Sequence, residues 1–272
     1  MKKIILILTF LLPSLTLLAN NPNNLSLHYY DAFTTNTPLK TLAEQNINLS
    51  INEAYKTQQQ WVKKATETTP IIGFKSYLTN PSEQKKLNIN TPIFSTLLTK
   101  NQYSNFDIIQ LQSISTYKLS TNIGITFKKA ITQPISSTYI LKNLIRHSTF
   151  YVELTKNRFP KNTTLEYNDI ILSNTNTDSI IKGSKLKTYR FNPIQLTIAH
   201  NNLPIFEQTI TIDNDTFLNN LLWLVNKTIE LGWEITPQHI LLTETLHNQL
   251  PLKTGRYTIN LDPYSAFLFE IK

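Results

Sequence analysis

Apolar residues recur at helical spacing in two long stretches and cluster or alternate in several shorter ones. Ala54, Tyr55, Gln58, Trp61 and Val62 repeat on one helical face. Ser50 and Glu53 stand just ahead as a capping box, in which each end group satisfies the other's backbone N–H. In the second stretch, residues 217–235, Leu218, Leu221, Leu222, Val225 and Ile229 form a face, and Gly232 suits the position just past a helix end. The run 135–149 predicts another helix, and "PSEQKKL" (81–87) a short one with proline at its start. Strands are expected at 70–78, within 107–127, at 150–156, in "HILLTETL" and in "RYTINLDPYSAFLFEI". Helices and strands intermix without regular alternation, which points to an α+β fold rather than a doubly wound sheet.

The first residues behave differently. Lys2 and Lys3 precede a mainly apolar run from Ile4 to Leu18, and Ala19 precedes a polar break. This is the pattern of a secretory signal peptide, with an uncleaved anchor as the alternative. We expect residues 1–19 to be a leader cleaved near Ala19, 20–48 an irregular segment, and 49–272 one domain. The mature protein is then periplasmic or secreted, with no membrane contact beyond the leader.

Composition narrows the chemistry. The chain has 272 residues, no cysteine and only five glycines. Disulfides, thiolate catalysis and cysteine-based zinc sites are excluded. No glycine-rich phosphate loop, G-x-S-x-G elbow or zincin helix is present. The net charge of +8 is scattered, with arginine scarce, so the concentrated footprint of a nucleic-acid binder is missing. Against this background Lys75, inside the apolar run "PIIGFKSYLTN", stands out. It is either a lysine that snorkels to the surface or a cation held for an anion.

Taken in order, "AYKTQQQW", "IIGFKSYLTNPSEQKKLNINTPIFSTLL", "FLNNLLWLVNKTIELGWEITPQHILLTETL" and "PLKTGRYTI" resemble the 2-keto-4-pentenoate hydratase family, within the wider fumarylacetoacetate-hydrolase fold. The matching positions include Ala54, Tyr55 and Gln58; Gly73, Lys75 and Thr79; Pro92, Phe94 and Leu97; and Leu218, Asn219, Trp223, Gly232 and Thr243. The resemblance runs from about residue 50 to the C-terminus. It implies a mixed β-roll with flanking helices and self-association. It also implies a magnesium or manganese ion on three carboxylates that stabilises the enolate of a 2-oxo acid, with Lys75 facing that anionic substrate.

The sequence departs from the family where the metal should sit. Ser120 and Asn122 replace two glutamates of a central strand, and Glu153 matches the third. No Asp or Glu occurs between Asp107 and Glu153, so no shift of alignment restores the pair. One carboxylate holds a hard dication poorly. The expectation is therefore an exported, hydratase-like protein with no cofactor, binding a small anionic ligand or a protein partner. An active hydratase or decarboxylase with magnesium or manganese in a rebuilt site is the alternative. Lys75, Asn122, Asn174 and Thr243 are the candidate ligand-binding residues, and Lys75 and Asp169 the candidate catalytic ones. Glu153 is either a remnant metal ligand or a structural carboxylate paired with a lysine or arginine.

Overall fold

The computed structural model describes residues 22–98, 101–186 and 193–272. The expected leader lies outside the described residues. No described helix is long and apolar enough to cross a membrane.

Eight strands form the main sheet, in the order β2 (Ile93–Leu98), β1 (Ile71–Tyr77), β10 (Ile240–Thr245), β5 (Tyr117–Phe127), β6 (Ile145–Lys156), β7 (Thr177–Leu186), β3 (Asn101–Tyr103), with β11 (Leu250–Pro251) also on β5. β1–β10 and β3–β7 are parallel and the other pairs antiparallel. A second, five-stranded sheet runs β4 (Ile108–Ile109), β13 (Ser265–Ile271), β12 (Gly255–Asp262), β8 (Ile194–His200), β9 (Leu203–Ile210). This is the expected α+β architecture. Helices α1 (Pro22–Thr35), α2 (Ile51–Ala65), α3 (Pro81–Lys86), α4 (Thr138–Leu144), α5 (Tyr167–Leu172) and α6 (Asn214–Glu230) complete it.

The helix signals hold well. Ser50 and Glu53 make the reciprocal capping box of α2, whose Ala54, Tyr55, Gln58, Trp61 and Val62 are buried. After α6, Gly232 adopts φ +78, the left-handed conformation that favours glycine.

Two expectations are corrected. The segment 20–48, read as irregular, contains α1. Leu25, Tyr29 and Ala32 recur at helical spacing and are buried, and Phe33 packs on Trp61 of α2 at 5.5 Å. The helix expected over 135–149 stops at Leu144, and β6 begins at Ile145. The pairing partner decides this. Residues 145–149 continue a ladder with β5 that runs from Phe127↔Ile145 to Tyr117↔Lys156, and the hydrogen bonds gained there outweigh the local helical preference.

Gly73 shows how closely the sheet is assembled. A Cβ built there would stand 1.9 Å from the carbonyl oxygen of Ile240 on the neighbouring parallel strand. Gly73→Ala is expected to cost about 1–3 kcal/mol, toward the upper end because backbone has to move. A fall in the urea midpoint checks this; an unchanged midpoint refutes the close-approach argument.

Candidate functional site

Strand periodicity puts Lys75 of β1, Ser120 and Asn122 of β5, and Glu153 of β6 on one face of the main sheet. The register fixes their meeting. Ser120 lies directly across from Glu153, and Asn122 across from Tyr151, two residues along the same face. On that same face a Cβ at Gly124 would stand 2.5 Å from the Tyr151 ring, so the glycine makes room for the aromatic.

The centre is a buried ion pair. Lys75 and Glu153 are 1% and 0% exposed. The Lys75 ammonium donates to both carboxylate oxygens of Glu153, at 2.6 Å to Oε1 and 2.8 Å to Oε2. Thr177 of β7 donates its hydroxyl to Oε1. Ser120 Oγ and Asn122 Nδ2 each lie 3.4 Å from Oε2. The Lys75 ammonium also sits 5.2 Å from the centre of the Tyr77 ring. Burying a carboxylate this deeply is costly unless it is paired and hydrogen-bonded, and here it is both.

The question posed by Lys75 thus has a structural answer. Its anion is the protein's own Glu153, 78 positions further along the chain. Snorkelling to the surface is ruled out by its burial. Glu153 is paired with Lys75 within the sheet.

The remaining sequence candidates serve elsewhere. Asp169 is a capping residue: its carboxylate accepts from the backbone N–H of Leu42 at 2.8 Å and of Glu166 at 3.0 Å. Burial raises its pKa above the usual carboxylate range, against those two hydrogen bonds. Asn174 clamps β2, accepting from Thr96 N at 2.9 Å and donating to Thr96 O at 2.7 Å. Thr243 sits at the irregularity between Leu242 and Glu244, its hydroxyl buried without a hydrogen-bond partner. Its carbonyl accepts from Ser76.

Next to the ion pair lies a cavity of about 310 Å³. Tyr77 forms part of its wall, with Lys118, Thr155, Thr175, Asn176 and Gln249 among the other lining residues. Burial, and then the charge of Glu153, raise the pKa of the Tyr77 hydroxyl. Lys118 is exposed, and among the described residues it is the one charged side chain in the lining. Sequence reasoning missed Lys118, although period-two spacing from Ser120 would have placed it on the same face.

These residues do not suit a divalent metal. Among the described residues no group of three or more His, Cys, Asp or Glu side chains is positioned to hold an ion. Ser120 and Asn122 are neutral, and Lys75 already occupies both oxygens of Glu153. A hard dication at that point would have to displace an ammonium and accept one anionic ligand.

Comparison with known proteins agrees with the resemblance read from the sequence. No family model matches the chain. A 2-keto-4-pentenoate hydratase of Paraburkholderia phymatum is 22% identical over 205 residues, covering 73% of this chain and 77% of the relative. The 4-oxalocrotonate decarboxylase of Pseudomonas putida G7, complexed with magnesium and adipate, superposes with a TM-score of 0.80 at 15% identity, over 92% of this chain and 97% of the other. A fumarylacetoacetate hydrolase family protein from Yersinia pestis gives 0.51 at 10% identity, over 75% and 95% of the two chains. The fold is that of the fumarylacetoacetate hydrolases, and in sequence the chain is similar to a 2-keto-4-pentenoate hydratase.

Proposed function

We propose that this chain is an exported, metal-independent member of the hydratase-like group that binds a small anionic ligand. The Lys75–Glu153 pair stands in for the metal centre as a structural element, and the ligand occupies the adjacent cavity. The observation that carries the reading is the lining of that cavity: one cation, Lys118, and no carboxylate among the described residues. A 2-oxo acid or dicarboxylate suits such a lining through a charge-assisted hydrogen bond at one end and neutral hydroxyls and amides along the rest. The adipate carried by the decarboxylase is consistent with a ligand of this size and charge.

The test is calorimetric titration with oxalate, pyruvate and longer 2-oxo acids. At least one should bind saturably, and Lys118→Gln should weaken it about tenfold, the scale of one charge-assisted contact. Lys118 is exposed, so the substitution leaves the fold intact. Absence of binding, or binding indifferent to Lys118, removes the reading. The decarboxylase-like fold over 92% of the chain favours a rebuilt enzyme as the second reading. Metal-dependent turnover of a 2-hydroxy-2,4-dienoate would establish it instead. Export follows from the leader pattern and is checked by finding a mature N-terminus near Asn20 in the extracytoplasmic fraction.

A further inference from the structure

The cavity beside the ion pair offers more than its one cation. Small-molecule pockets are lined chiefly by apolar side chains. Here Pro160, Leu165 and Ile170 are apolar, and every other lining residue bears a hydroxyl, an amide or an ammonium.

Several of those groups are still open. Asn176 Oδ1 accepts from Arg158 Nη1 at 3.2 Å, which leaves Nδ2 as a donor. Gln249 is the converse: its Nε2 donates to Thr155 Oγ1 at 3.3 Å, which leaves Oε1 as an acceptor. The hydroxyls of Tyr77 and Thr163 can do both, and neither has a hydrogen-bond partner among the described residues. All four residues are half-buried, and none of these open atoms is sealed from solvent. The wall that carries Asn176 is held under strain. Asn174, Thr175 and Asn176 adopt φ +52, +55 and +59, a conformation that a β-branched residue such as Thr175 keeps only where its surroundings impose it. Asn174 and Thr175 are tied to Thr96 and Ser95 of β2.

This mixture of donors and acceptors selects a chemistry. A carboxylate only accepts and an ammonium only donates, whereas an alcohol does both. A plain methylene chain anchored at Lys118 would displace water from the open groups and leave them unpaired, which loses affinity. A chain bearing hydroxyls restores both kinds of bond. A second carboxylate would find no second cation in the lining among the described residues.

We propose that the ligand of this cavity is a polyhydroxylated monocarboxylate, a sugar acid, with its carboxylate on Lys118 and its hydroxyls on Tyr77, Thr163, Asn176 and Gln249. The assignment rests on the Lys118 anion site and narrows its ligand. A cavity of about 310 Å³ accommodates one such molecule.

Calorimetric titration of the purified protein with gluconate, galactonate, glucuronate and galacturonate tests it. Hexanoate keeps the carboxylate without the hydroxyls, and sorbitol keeps the hydroxyls without the carboxylate. At least one sugar acid should bind saturably at one site per chain, and at least about tenfold more tightly than either control. Lys118→Gln should weaken it about tenfold. Tyr77→Phe keeps the ring beside the Lys75 ammonium and removes only the hydroxyl, and Gln249→Leu removes the acceptor. Each should narrow the gap between sugar acid and hexanoate about fivefold, the scale of one neutral hydrogen bond. If hexanoate or a 2-oxo acid binds through Lys118 as tightly as every sugar acid, recognition of hydroxyls is overturned while the anion site stands. If no anion binds, both fall. Sorbitol binding as tightly as the acid, or a gap that survives both Tyr77→Phe and Gln249→Leu, overturns the assignment equally.

Discussion

Glu153→Leu is expected to destabilise the protein by about 3–5 kcal/mol, because it leaves the Lys75 ammonium buried without its anion. For a chain of this size that is a fall of about 6–20 °C in melting temperature. Lys75→Met should cost a similar amount, for the mirror-image reason. The Thr177 hydroxyl loses its acceptor in the first variant only. Combining the two substitutions should recover most of the loss, since replacing both members of a buried pair with apolar groups of similar volume is often neutral or stabilising. The decisive quantity is the coupling energy from this double-mutant cycle, measured by urea denaturation. Additive single effects of under about 1 kcal/mol would mean that the pair does not hold the sheet together, and the structural role assigned to it would be lost.

Magnesium or manganese should leave the melting temperature of the unmodified protein unchanged. Ser120→Glu combined with Asn122→Glu should behave differently. Both positions lie 3.4 Å from Glu153 Oε2, so the variant gathers three carboxylates around one ammonium. Without metal it should be strongly destabilised by like charges in a buried site. Manganese at about a hundred times its dissociation constant should return about 2.7 kcal/mol, or roughly 5–11 °C. The contrast between the two proteins is the measurement, read by thermal melts with and without the ion. Stoichiometric manganese binding to the unmodified chain would instead put a metal at Glu153 and end the metal-independent reading.

Much of the fold was legible in the sequence because its signals are local. The Ser50–Glu53 box, the α6 stripe and Gly232 each act through neighbours within a turn or two, and all three stand in the structure. The errors came from the opposite situation. Residues 145–149 have enough helical character to mislead, and only β5 alongside them makes the strand preferable. The stripe Leu25, Tyr29 and Ala32 is visible in hindsight, but its surroundings are polar, and what stabilises the helix is the face of α2 that it covers.

The site divides in the same way. The sequence by itself determined the inventory of charge: one carboxylate where the resemblance implies three, two neutral residues in place of the others, and a lysine on an early apolar strand. Those identities alone argue against a dication, since ligand charge is a property of residue type. Tertiary structure alone decided how the charges are spent. Register on β5 and β6 sets Ser120 opposite Glu153, and the crossover through β10 carries β1 close enough for Lys75 to reach it. No sequence period links positions 75 and 153, because cross-strand distance depends on which strands become neighbours. The ammonium that looked ready for a ligand is paired within the sheet, and Lys118 is the charged side chain that lines the adjacent cavity among the described residues.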